Sequence, residues 1–297
     1  MTVFLKRRFP HVKELQQQYR EGVGPLLVEG RGDSSTMGEA FDWAVRFLVC
    51  AAPGLDLALR GIARRHPRLA IAVVEMAQQL DGGYANGWSG LCDDGTFDGP
   101  AEGCAADEEV VLRACWALAL LTQVYRTGVI LPGSPLSRVD LARVSAADLL
   151  ALMPSTAYHE LRDLRNLARS TMLPPLADRH GRWAVGPRFA GSELMNADAD
   201  LIAGGLLIEL KTALGGKRAD GTRRASLEAS TLHQLLGYVL LDFGDEYGLR
   251  EVGLYSARYG HFATWRLGEL LDGLAGRSVD LAAERQAFHA LLAGDGS

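Results

Sequence analysis

The chain lacks the long apolar segments of a membrane protein. Its longest uninterrupted apolar run, residues 114–121, is eight residues long, against the roughly 20 that a membrane-spanning helix needs. The N-terminal segment is basic but has no apolar stretch after its charges, so we expect no secretion signal. Hydrophobic residues make up 48% and charged residues 23% of the 297 positions, which are proportions typical of globular proteins. We therefore expect a cytoplasmic protein with a packed core and no membrane partner.

Cysteine is scarce, and its spacing indicates no cysteine-based metal site. Cys50, Cys92, Cys104 and Cys115 are the four cysteines, and none is arranged as Cys-x-x-Cys, so a zinc ribbon is not indicated. In an intracellular chain they are expected to be reduced thiols. Cys92 and Cys104 bracket a glycine-rich segment, where a metal or disulfide role is the less favoured alternative to two ordinary thiols.

Charge is distributed unevenly along the chain. The formal net charge of -5 argues against a nucleic-acid partner, but seven acidic residues and no basic ones lie within residues 89–109. Further on, Arg162, Arg165 and Arg169 have the i, i+3, i+7 spacing of one helix face, and residues 215–224 form a second basic segment. The cations of that segment are Lys217, Arg218, Arg223 and Arg224. Each basic segment taken alone is either a solvated surface or a site for an anionic partner.

The first half of the chain has the apolar spacing of helices. The predicted helices span residues 36–50, 54–65, 67–79 and 107–126. The pattern Thr36-x-x-Glu39 predicts a capping box at the start of the first one. Residues 81–103 are rich in Gly, Asp and Asn, and are predicted to form an exposed loop.

Beyond Gly181 the apolar period changes from 3.6 to 2, which indicates strands. The predicted strands span residues 182–185, 194–203, 206–212, 251–258 and 261–266, and the predicted helices span 226–243, 268–274 and 279–292. This order predicts an α/β protein with a mixed central sheet flanked by helices, together with a mostly helical N-terminal half. We divide the chain into a mostly helical region, residues 1–150, and a core that carries the sheet, residues 151–297.

Residues 198–212 predict a β-hairpin with chemically informative side chains. Gly204 and Gly205 form its two-residue turn, because turns of this type need positive φ angles. Counting outward from the turn places Asp200 opposite Glu209, with Lys211 two residues further along on the same face. The other face is entirely apolar and consists of Leu201, Ala203, Leu206, Ile208 and Leu210.

Two opposed carboxylates require compensation, because directly opposed side chains lie about 4.5 to 5.5 Å apart at Cβ and like charges repel. A divalent cation such as Mg²⁺ would accept oxygens from Asp200 and Glu209 while keeping water ligands. Lys211 would then orient a water molecule or hold a phosphate oxygen. The alternative is a solvated edge hairpin with a surface ion pair between Asp198 and Lys211. The apolar opposite face favours a buried hairpin.

The pattern D-x8-E-x-K across this hairpin resembles the PD-(D/E)XK nuclease superfamily, with Asp200, Glu209 and Lys211 at its metal-binding and catalytic positions. The next helix contains Gln234-x-x-x-Tyr238, which is similar to the QxxxY motif of the RecB-like branch. The resemblance implies a restriction-endonuclease-like core, Mg²⁺ or Mn²⁺ as cofactor, and catalytic roles for these five residues.

The RecB-like branch usually adds an N-terminal helix that offers a Glu or His to the metal. This residue often stands in a G-x-x-x-H pattern. Here Gly38-x-x-x-Asp42 has the same spacing with Asp in place of His, and Glu39 is a competing candidate. The resemblance therefore implies that helix 36–48 packs on the core and offers Asp42 as a metal ligand. Some members of the branch hold an iron-sulfur cluster through C-terminal cysteines. No cysteine follows Cys115, so no cluster of that arrangement is expected.

Together these features predict a metal-dependent DNA nuclease, with phage defence and DNA repair or recombination as fitting settings. The arginines of the 162–169 stripe and the cations of residues 215–224 are expected to hold the phosphate backbone. No GxxxxGK[ST] motif occurs, so duplex unwinding would need a partner. Two alternatives stay open. One is an inactive nuclease-fold module that binds nucleic acid or a protein, and the other is an adaptor whose acidic segment 89–109 docks on a basic partner.

Overall fold

The computed structural model describes residues 2–80, 95–99 and 102–294. The chain divides into two compact units, and the first of them carries the sheet. The first unit comprises Met1–Leu27, Thr96–Pro100 and Pro175–Ser297, and the second comprises Val28–Gly95 and Ala101–Pro174. This division differs from the predicted boundary at residue 150. Leu5 and Phe9 give one reason, because both are buried in the same hydrophobic core as the strands.

The described residues form helices that are numbered in chain order. They are α1 (Thr2–Arg8), α2 (Lys13–Gly22), α3 (Ser34–Val49), α4 (Asp56–Arg60), α5 (Pro67–Ala77), α6 (Glu108–Thr127), α7 (Ala146–Leu150), α8 (Ser155–Thr171), α9 (Ala229–Leu241), α10 (Leu267–Ala275) and α11 (Leu281–Ala293). Short 3₁₀ segments lie at Pro135–Arg138, Pro174–Leu176, Ala190–Glu193 and Ala257–Tyr259. Among the described residues, no helix is long and apolar enough to cross a membrane.

The second unit is helical, as expected for the first half of the chain. Its helices α3 and α6 pack along each other, and α8 packs against both. Apolar residues dominate the buried side of α3 and α6. The indole of Trp43 on α3 donates a hydrogen bond of 3.2 Å to the hydroxyl of Thr122 on α6, so a polar atom in this core is satisfied across the helix pair.

The first unit contains a six-stranded sheet. Its strands are β1 (Thr96–Gly99), β2 (Gly181–Val185), β3 (Leu201–Ala203), β4 (Leu206–Lys211), β7 (Glu251–Ser256) and β8 (His261–Arg266), in the spatial order β1-β2-β3-β4-β7-β8. Between β4 and β7 in sequence, β5 (Gly216–Lys217) and β6 (Arg223–Arg224) form a separate two-stranded ribbon. β4 and β7 are parallel, and the other neighbouring strands of the sheet are antiparallel. The predicted α/β class with a mixed sheet flanked by helices and a helical N-terminal half is confirmed.

Helix α9 lies on one face of this sheet and belongs to the crossover between the parallel strands β4 and β7, which parallel neighbours require. Ile202 of β3 and Leu207 of β4 are buried in the same core as Leu235 and Val239 of α9. Residues of β4 alternate between the two faces, so Glu209 and Lys211 lie on the same face as Leu207. The packing of α9 therefore brings a helix surface to the face that carries these two charges.

The β3–β4 hairpin has the predicted turn and register. Gly204 and Gly205 have φ angles of 53° and 82°, and Leu201 pairs with Ile208. A Cβ atom on Gly204 would lie 2.6 Å from the carbonyl oxygen of His180. Glycine is therefore required there by the available space as well as by the backbone angle.

The predicted strand 194–203 is wrong in its first seven residues, because β3 is regular only from Leu201. The chain before it makes a turn that is held by the hydroxyl of Ser192, which donates to the carbonyl oxygen of Ala197 at 2.7 Å. Asp198 then forms an isolated β-bridge with Arg188. A side-chain hydrogen bond to the backbone has replaced the strand ladder at this point.

Other local predictions also differ from the structure. The predicted loop 81–103 contains the edge strand β1 at its C-terminal end, while residues 81–94 lie outside the described residues. Helix α3 begins at Ser34, and its N-cap is Asp33, which accepts hydrogen bonds from the backbone N–H groups of Ser35 and Thr36. The proposed capping box on Thr36 is therefore wrong, because an Asp three residues earlier takes the capping position.

Candidate functional site

The β3–β4 hairpin positions Asp200 and Glu209 at its end away from the turn. Asp200 immediately precedes β3, and its Oδ2 atom accepts a 2.7 Å hydrogen bond from the backbone N–H of Leu210. This bond holds the carboxylate over the β4 backbone next to Glu209. Glu209 is only 2% exposed. The register thus brings two acidic side chains together at one end of the hairpin, as the spacing predicts.

Lys211 provides the positive charge of this site. Its Nζ atom lies 2.5 Å from Oε1 of Glu209 and 3.1 Å from Oε1 of Gln234. The Lys211 side chain is 34% exposed, whereas that of Glu209 is 3% exposed. The ammonium therefore lies between a buried carboxylate and solvent, and its position is fixed by Glu209 and Gln234.

Helix α9 contributes Gln234 and Tyr238, which lie one turn apart on the same helix face. The Nε2 atom of Gln234 donates a 2.8 Å hydrogen bond to the hydroxyl oxygen of Tyr238. An ammonium group can only donate, so Lys211 requires the Oε1 atom of Gln234, and the amide must present its N–H groups to Tyr238. A hydrogen-bonded chain consequently runs from Glu209 through Lys211 and Gln234 to Tyr238.

Tyr238 is kept neutral by its surroundings. Burial raises the pKa of its hydroxyl far above the usual value, and the negative charge of Glu209 adds to this effect, while the hydrogen bond from Gln234 opposes it. The Tyr238 ring stacks on Phe189, with 5.8 Å between ring centroids and 24° between planes. The phenol is thus held in place by packing and can act as a hydrogen-bond donor, and not as a base, near neutral pH.

Asp198 was not predicted as a site residue. Its negative charge raises the pKa of Tyr238, as do the negative charges of Glu209 and Asp200. Asp198 therefore contributes to the acidic character of the site. The alternation of Asp198 and Asp200 was a usable signal for this, because residues two apart share a face of an extended chain.

Ser256 and Tyr19 lie near the end of β4 that carries Lys211, and their position was not predicted from the sequence. Ser256 is the register partner of Lys211 on the parallel strand β7, and its hydroxyl lies 2.5 Å from the hydroxyl of Tyr19 on α2. Both residues are buried. No local pattern could have indicated them, because their place depends on the pairing of β4 with β7 and on the position of α2.

The donor atoms of the hairpin are suited to a hard divalent cation. Asp200 and Glu209 supply carboxylate oxygens, which Mg²⁺ and Mn²⁺ prefer, and Mg²⁺ is commonly held by one or two carboxylates with water completing its shell. In the described part of the chain, no group of three or more His, Cys, Asp or Glu side chains is arranged to hold a metal ion. A site here would therefore consist of these two carboxylates, with the remaining ligands supplied by water or substrate.

Asp42, the third predicted metal ligand, lies in the second unit, within α3. Its Oδ2 atom lies 2.7 Å from Nη2 of Arg46, one helical turn away. The competing residue Glu39 forms an ion pair of 2.7 Å with Arg126 on α6. Both carboxylates are thus charge-compensated within the helical unit. We therefore do not include Asp42 in the candidate metal site.

The predicted arginine stripe does not form a continuous charged surface. Arg165 is buried, and its Nη1 atom lies 2.5 Å from Oε1 of Glu108. Arg162 is half-buried, with its guanidinium 5.8 Å from the ring centroid of Tyr158, whereas Arg169 is exposed. The prediction that all three arginines hold phosphate is wrong for Arg165, because a buried ion pair keeps it inside the second unit.

The second predicted basic segment is a structured ribbon. β5 and β6 pair with Lys217 opposite Arg223 and Gly216 opposite Arg224. Lys217 and Arg218 are exposed, and Arg223 and Arg224 are half-buried. The segment follows β4 directly, so its cations come soon after Lys211 in the chain.

The acidic segment 89–109 is described only in part, and Cys92, Asp93 and Asp94 lie outside the described residues. Near its end, Asp107 caps α6 by accepting hydrogen bonds from the N–H groups of Glu109 and Val110. Glu108 pairs with Arg165. These acids therefore have structural roles in the helical unit. They do not support the alternative in which the acidic segment docks on a basic partner.

We compared the chain with protein-family models, with curated proteins and with solved structures, and none of the three comparisons found a match. The resemblance to the PD-(D/E)XK superfamily therefore depends on the residues of the hairpin and α9 described above.

Proposed function

We propose that this protein is a Mg²⁺- or Mn²⁺-dependent DNA nuclease. Its site for phosphodiester hydrolysis would be formed by Asp200, Glu209 and Lys211. One observation supports this proposal above all. Glu209 and Lys211 of the hairpin are joined to Gln234 and Tyr238 of α9 by a continuous series of hydrogen bonds, and Asp200 is held by the N–H of Leu210, the residue after Glu209. A network of this kind, in which a buried carboxylate is linked to the partly exposed Lys211, is typical of a chemical site.

Each residue has a role that follows from its surroundings. A divalent ion held by Asp200 and Glu209 would generate a nucleophile from water and offset the charge that develops on the phosphate. The N–H of Leu210 orients Asp200 for this task. Lys211, which is held by Glu209 and Gln234, can donate a proton or a hydrogen bond to a phosphate oxygen. Tyr238 stays protonated and helps to hold the amide of Gln234 in the orientation that Lys211 needs.

The direct test is cleavage of linear, circular and single-stranded DNA in Mn²⁺ by the wild type and by two near-isosteric variants, Asp200→Asn and Glu209→Gln. Each variant removes a carboxylate charge, so we expect cleavage to fall by at least about 100-fold. Glu269→Gln is the matched control, because Glu269 is an exposed carboxylate on α10. Wild-type cleavage rates in Asp200→Asn or Glu209→Gln would refute the proposal.

A second candidate function is a nucleic-acid or protein-binding module that keeps this fold and uses no metal. The contact of 2.5 Å between Lys211 and Glu209 favours it, because the ammonium already compensates the buried carboxylate without a cation. Calorimetric titration with Mn²⁺ separates the two. Stoichiometric binding that is lost in Asp200→Asn supports the nuclease, and absence of binding supports the module.

The biological setting that best fits a nuclease of this kind is phage defence or DNA repair and recombination. The chain contains no GxxxxGK[ST] motif, so unwinding of a duplex would need a separate partner.

A further inference from the structure

A second feature of the first unit has the chemistry of an anion-binding surface. We call residues 215–224 the basic ribbon, which consists of β5, β6 and the turn between them. Its turn is closed by a 2.8 Å hydrogen bond from the N–H of Arg218 to the carbonyl oxygen of Thr222. The acid of the ribbon, Asp220, accepts hydrogen bonds from the N–H and hydroxyl of Thr222. Its carboxylate is thus engaged in the turn, and the exposed tip is dominated by Lys217 and Arg218.

The shape of the ribbon depends on the glycine at its first position, Gly215. Gly215 has a φ angle of 69°, and a Cβ atom there would lie 2.0 Å from the carbonyl oxygen of Arg224. The two ends of the ribbon therefore approach each other more closely than a residue with a Cβ atom at position 215 would permit. Arg223 strengthens this closure with a 3.0 Å hydrogen bond from Nη1 to the carbonyl oxygen of Gly215.

The ribbon is also attached to the sheet at its base. Arg258 Nε donates to the carbonyl oxygen of Thr212 at 2.5 Å, and the hydroxyl of Tyr259 donates to the carbonyl oxygen of Leu214 at 2.6 Å. Arg258 and Tyr259 are buried in the 3₁₀ turn that follows β7. These two anchors follow the strand that pairs with Lys211, so the base of the ribbon is tied to the same end of the sheet as the candidate site.

The distance from the site to the ribbon suits a nucleic-acid backbone. Thr212 directly follows Lys211, and Lys217 is six residues beyond Lys211, so the two Cα atoms are at most about 20 Å apart. A strand of DNA places one phosphate every 3.4 Å along the duplex axis. This Cα separation corresponds to about six phosphate intervals along one strand, so Lys211 and Lys217 can contact the backbone of the same duplex.

The ribbon contains no aromatic residue, whereas surfaces that bind single strands usually add aromatic side chains on which bases stack. A two-stranded β-ribbon is, by contrast, one of the elements that fit the major groove of B-DNA. From this combination we propose that the basic ribbon binds the backbone of double-stranded DNA beside the candidate site, with Arg258 and Tyr259 as positioning residues. The inference deepens the proposed function and rests on it for the identity of the nucleic acid.

The first experiment measures the affinity of the full chain for one fluorescent duplex, and for one of its strands alone, at several salt concentrations in EDTA. Lys217→Gln combined with Arg218→Gln removes two exposed cations. We expect weaker duplex binding and a salt slope that is smaller by up to about 1.8, because each duplex phosphate contact contributes about 0.9. Arg250→Gln combined with Arg266→Gln is the matched control. Its two exposed cations lie at the other end of β7, so its slope should equal that of the wild type.

The second experiment tests whether the shape of the ribbon matters in addition to its charge. Gly215→Ala keeps every cation but forces a Cβ atom against the carbonyl of Arg224, so duplex affinity should fall several-fold. Gly216→Ala is its neighbour and control, because a Cβ atom on Gly216 meets no atom within 4 Å. Equal affinity in the two alanine variants would show that a flexible basic loop is sufficient, and would overturn the contribution of the ribbon's shape to duplex binding.

The outcomes separate this inference from the proposed function, because binding in EDTA does not require hydrolysis. An unchanged salt slope in the double variant, or wild-type binding that is at least as tight to the single strand as to the duplex, overturns the inference. Duplex binding through the ribbon without any cleavage in Mn²⁺ supports the inference and refutes the nuclease.

Discussion

The ammonium of Lys211 lies 2.5 Å from the carboxylate of Glu209, two residues earlier on the same strand and the same face. The pair is asymmetric, because the Glu209 side chain is 3% exposed and the Lys211 side chain is 34% exposed. A buried carboxylate is costly without a counter-charge. Lys211 therefore stabilises the hairpin and, in the proposed mechanism, also faces the substrate.

Lys211→Met tests these two roles together, because it keeps the apolar stem and removes the charge. Cleavage should fall by at least about 100-fold, and Mn²⁺ affinity should be equal to or higher than that of the wild type, since no ammonium then competes for Glu209. The free energy of unfolding should drop by about 2 kcal/mol in EDTA and recover when Mn²⁺ is added. A cleavage assay, calorimetric titration with Mn²⁺ and thermal unfolding measure these three effects, and Lys13→Met on the exposed surface of α2 is the control. Wild-type cleavage by Lys211→Met would remove Lys211 from the proposed mechanism.

Tyr238→Phe tests the neutral phenol through the dependence of stability on pH. The pKa of Tyr238 is raised above the ordinary value of 10.0, so its stabilising contribution is complete below pH 10 and is lost as the pH rises through the folded-state pKa. The wild type should therefore lose about 1.4 kcal/mol per pH unit above pH 10 on account of Tyr238. Tyr238→Phe should lack this part of the decrease. Urea unfolding at pH 8, 10 and 11 measures it, and parallel curves for the two proteins would contradict the assignment.

Gly204→Ala and Gly248→Ala form a matched pair for the hairpin turn. The two glycines have φ angles of 53° and 54°, so both alanines carry a similar backbone cost of about 1 to 2 kcal/mol. Only at Gly204 does the new Cβ meet an atom within 4 Å, the carbonyl oxygen of His180 being 2.6 Å away. Gly204→Ala should therefore destabilise the protein clearly more than Gly248→Ala in urea unfolding. Equal losses would mean that the turn yields to the added methyl group.

Arg285→Met tests a buried network that supports the C-terminal end of α9. Arg285 donates to the carbonyl oxygen of Val239 and to the carboxylates of Asp242 and Asp245, and Asp242 is fully buried. Loss of the guanidinium leaves Asp242 without this counter-charge, so the free energy of unfolding should fall by about 3 to 5 kcal/mol.

Arg266→Met is the control for this change, because its guanidinium is exposed and its ion pair with Glu269 is on the surface. Its effect should stay within about 0.5 kcal/mol. A similar small effect of Arg285→Met in urea unfolding would show that the buried network contributes little to stability.

Much of the candidate site could be predicted from short stretches of sequence. The Gly204-Gly205 turn and the alternation on either side of it specify the register locally, so Asp200, Glu209 and Lys211 followed without any knowledge of the sheet. Gln234 and Tyr238 came from the resemblance to the QxxxY motif, and their helical spacing predicted that they share one face. Where a local hydrogen bond competed with the pattern, the prediction was wrong. Ser192 turned the chain before β3, and Asp33 took the N-cap position of α3.

Other features were decided only by the tertiary structure. Ser256 lies beside Lys211 because β7 pairs in parallel with β4, and Tyr19 reaches Ser256 from a helix 237 residues away in sequence. Arg165 is buried and not part of the predicted basic surface, because it pairs with Glu108, 57 residues earlier, within the helical unit. Turns, caps and side-chain alternation depend on neighbours in the chain, and local sequence is sufficient to predict them. Burial and ion pairing depend on which distant segments pack together, and only the folded chain determines that choice.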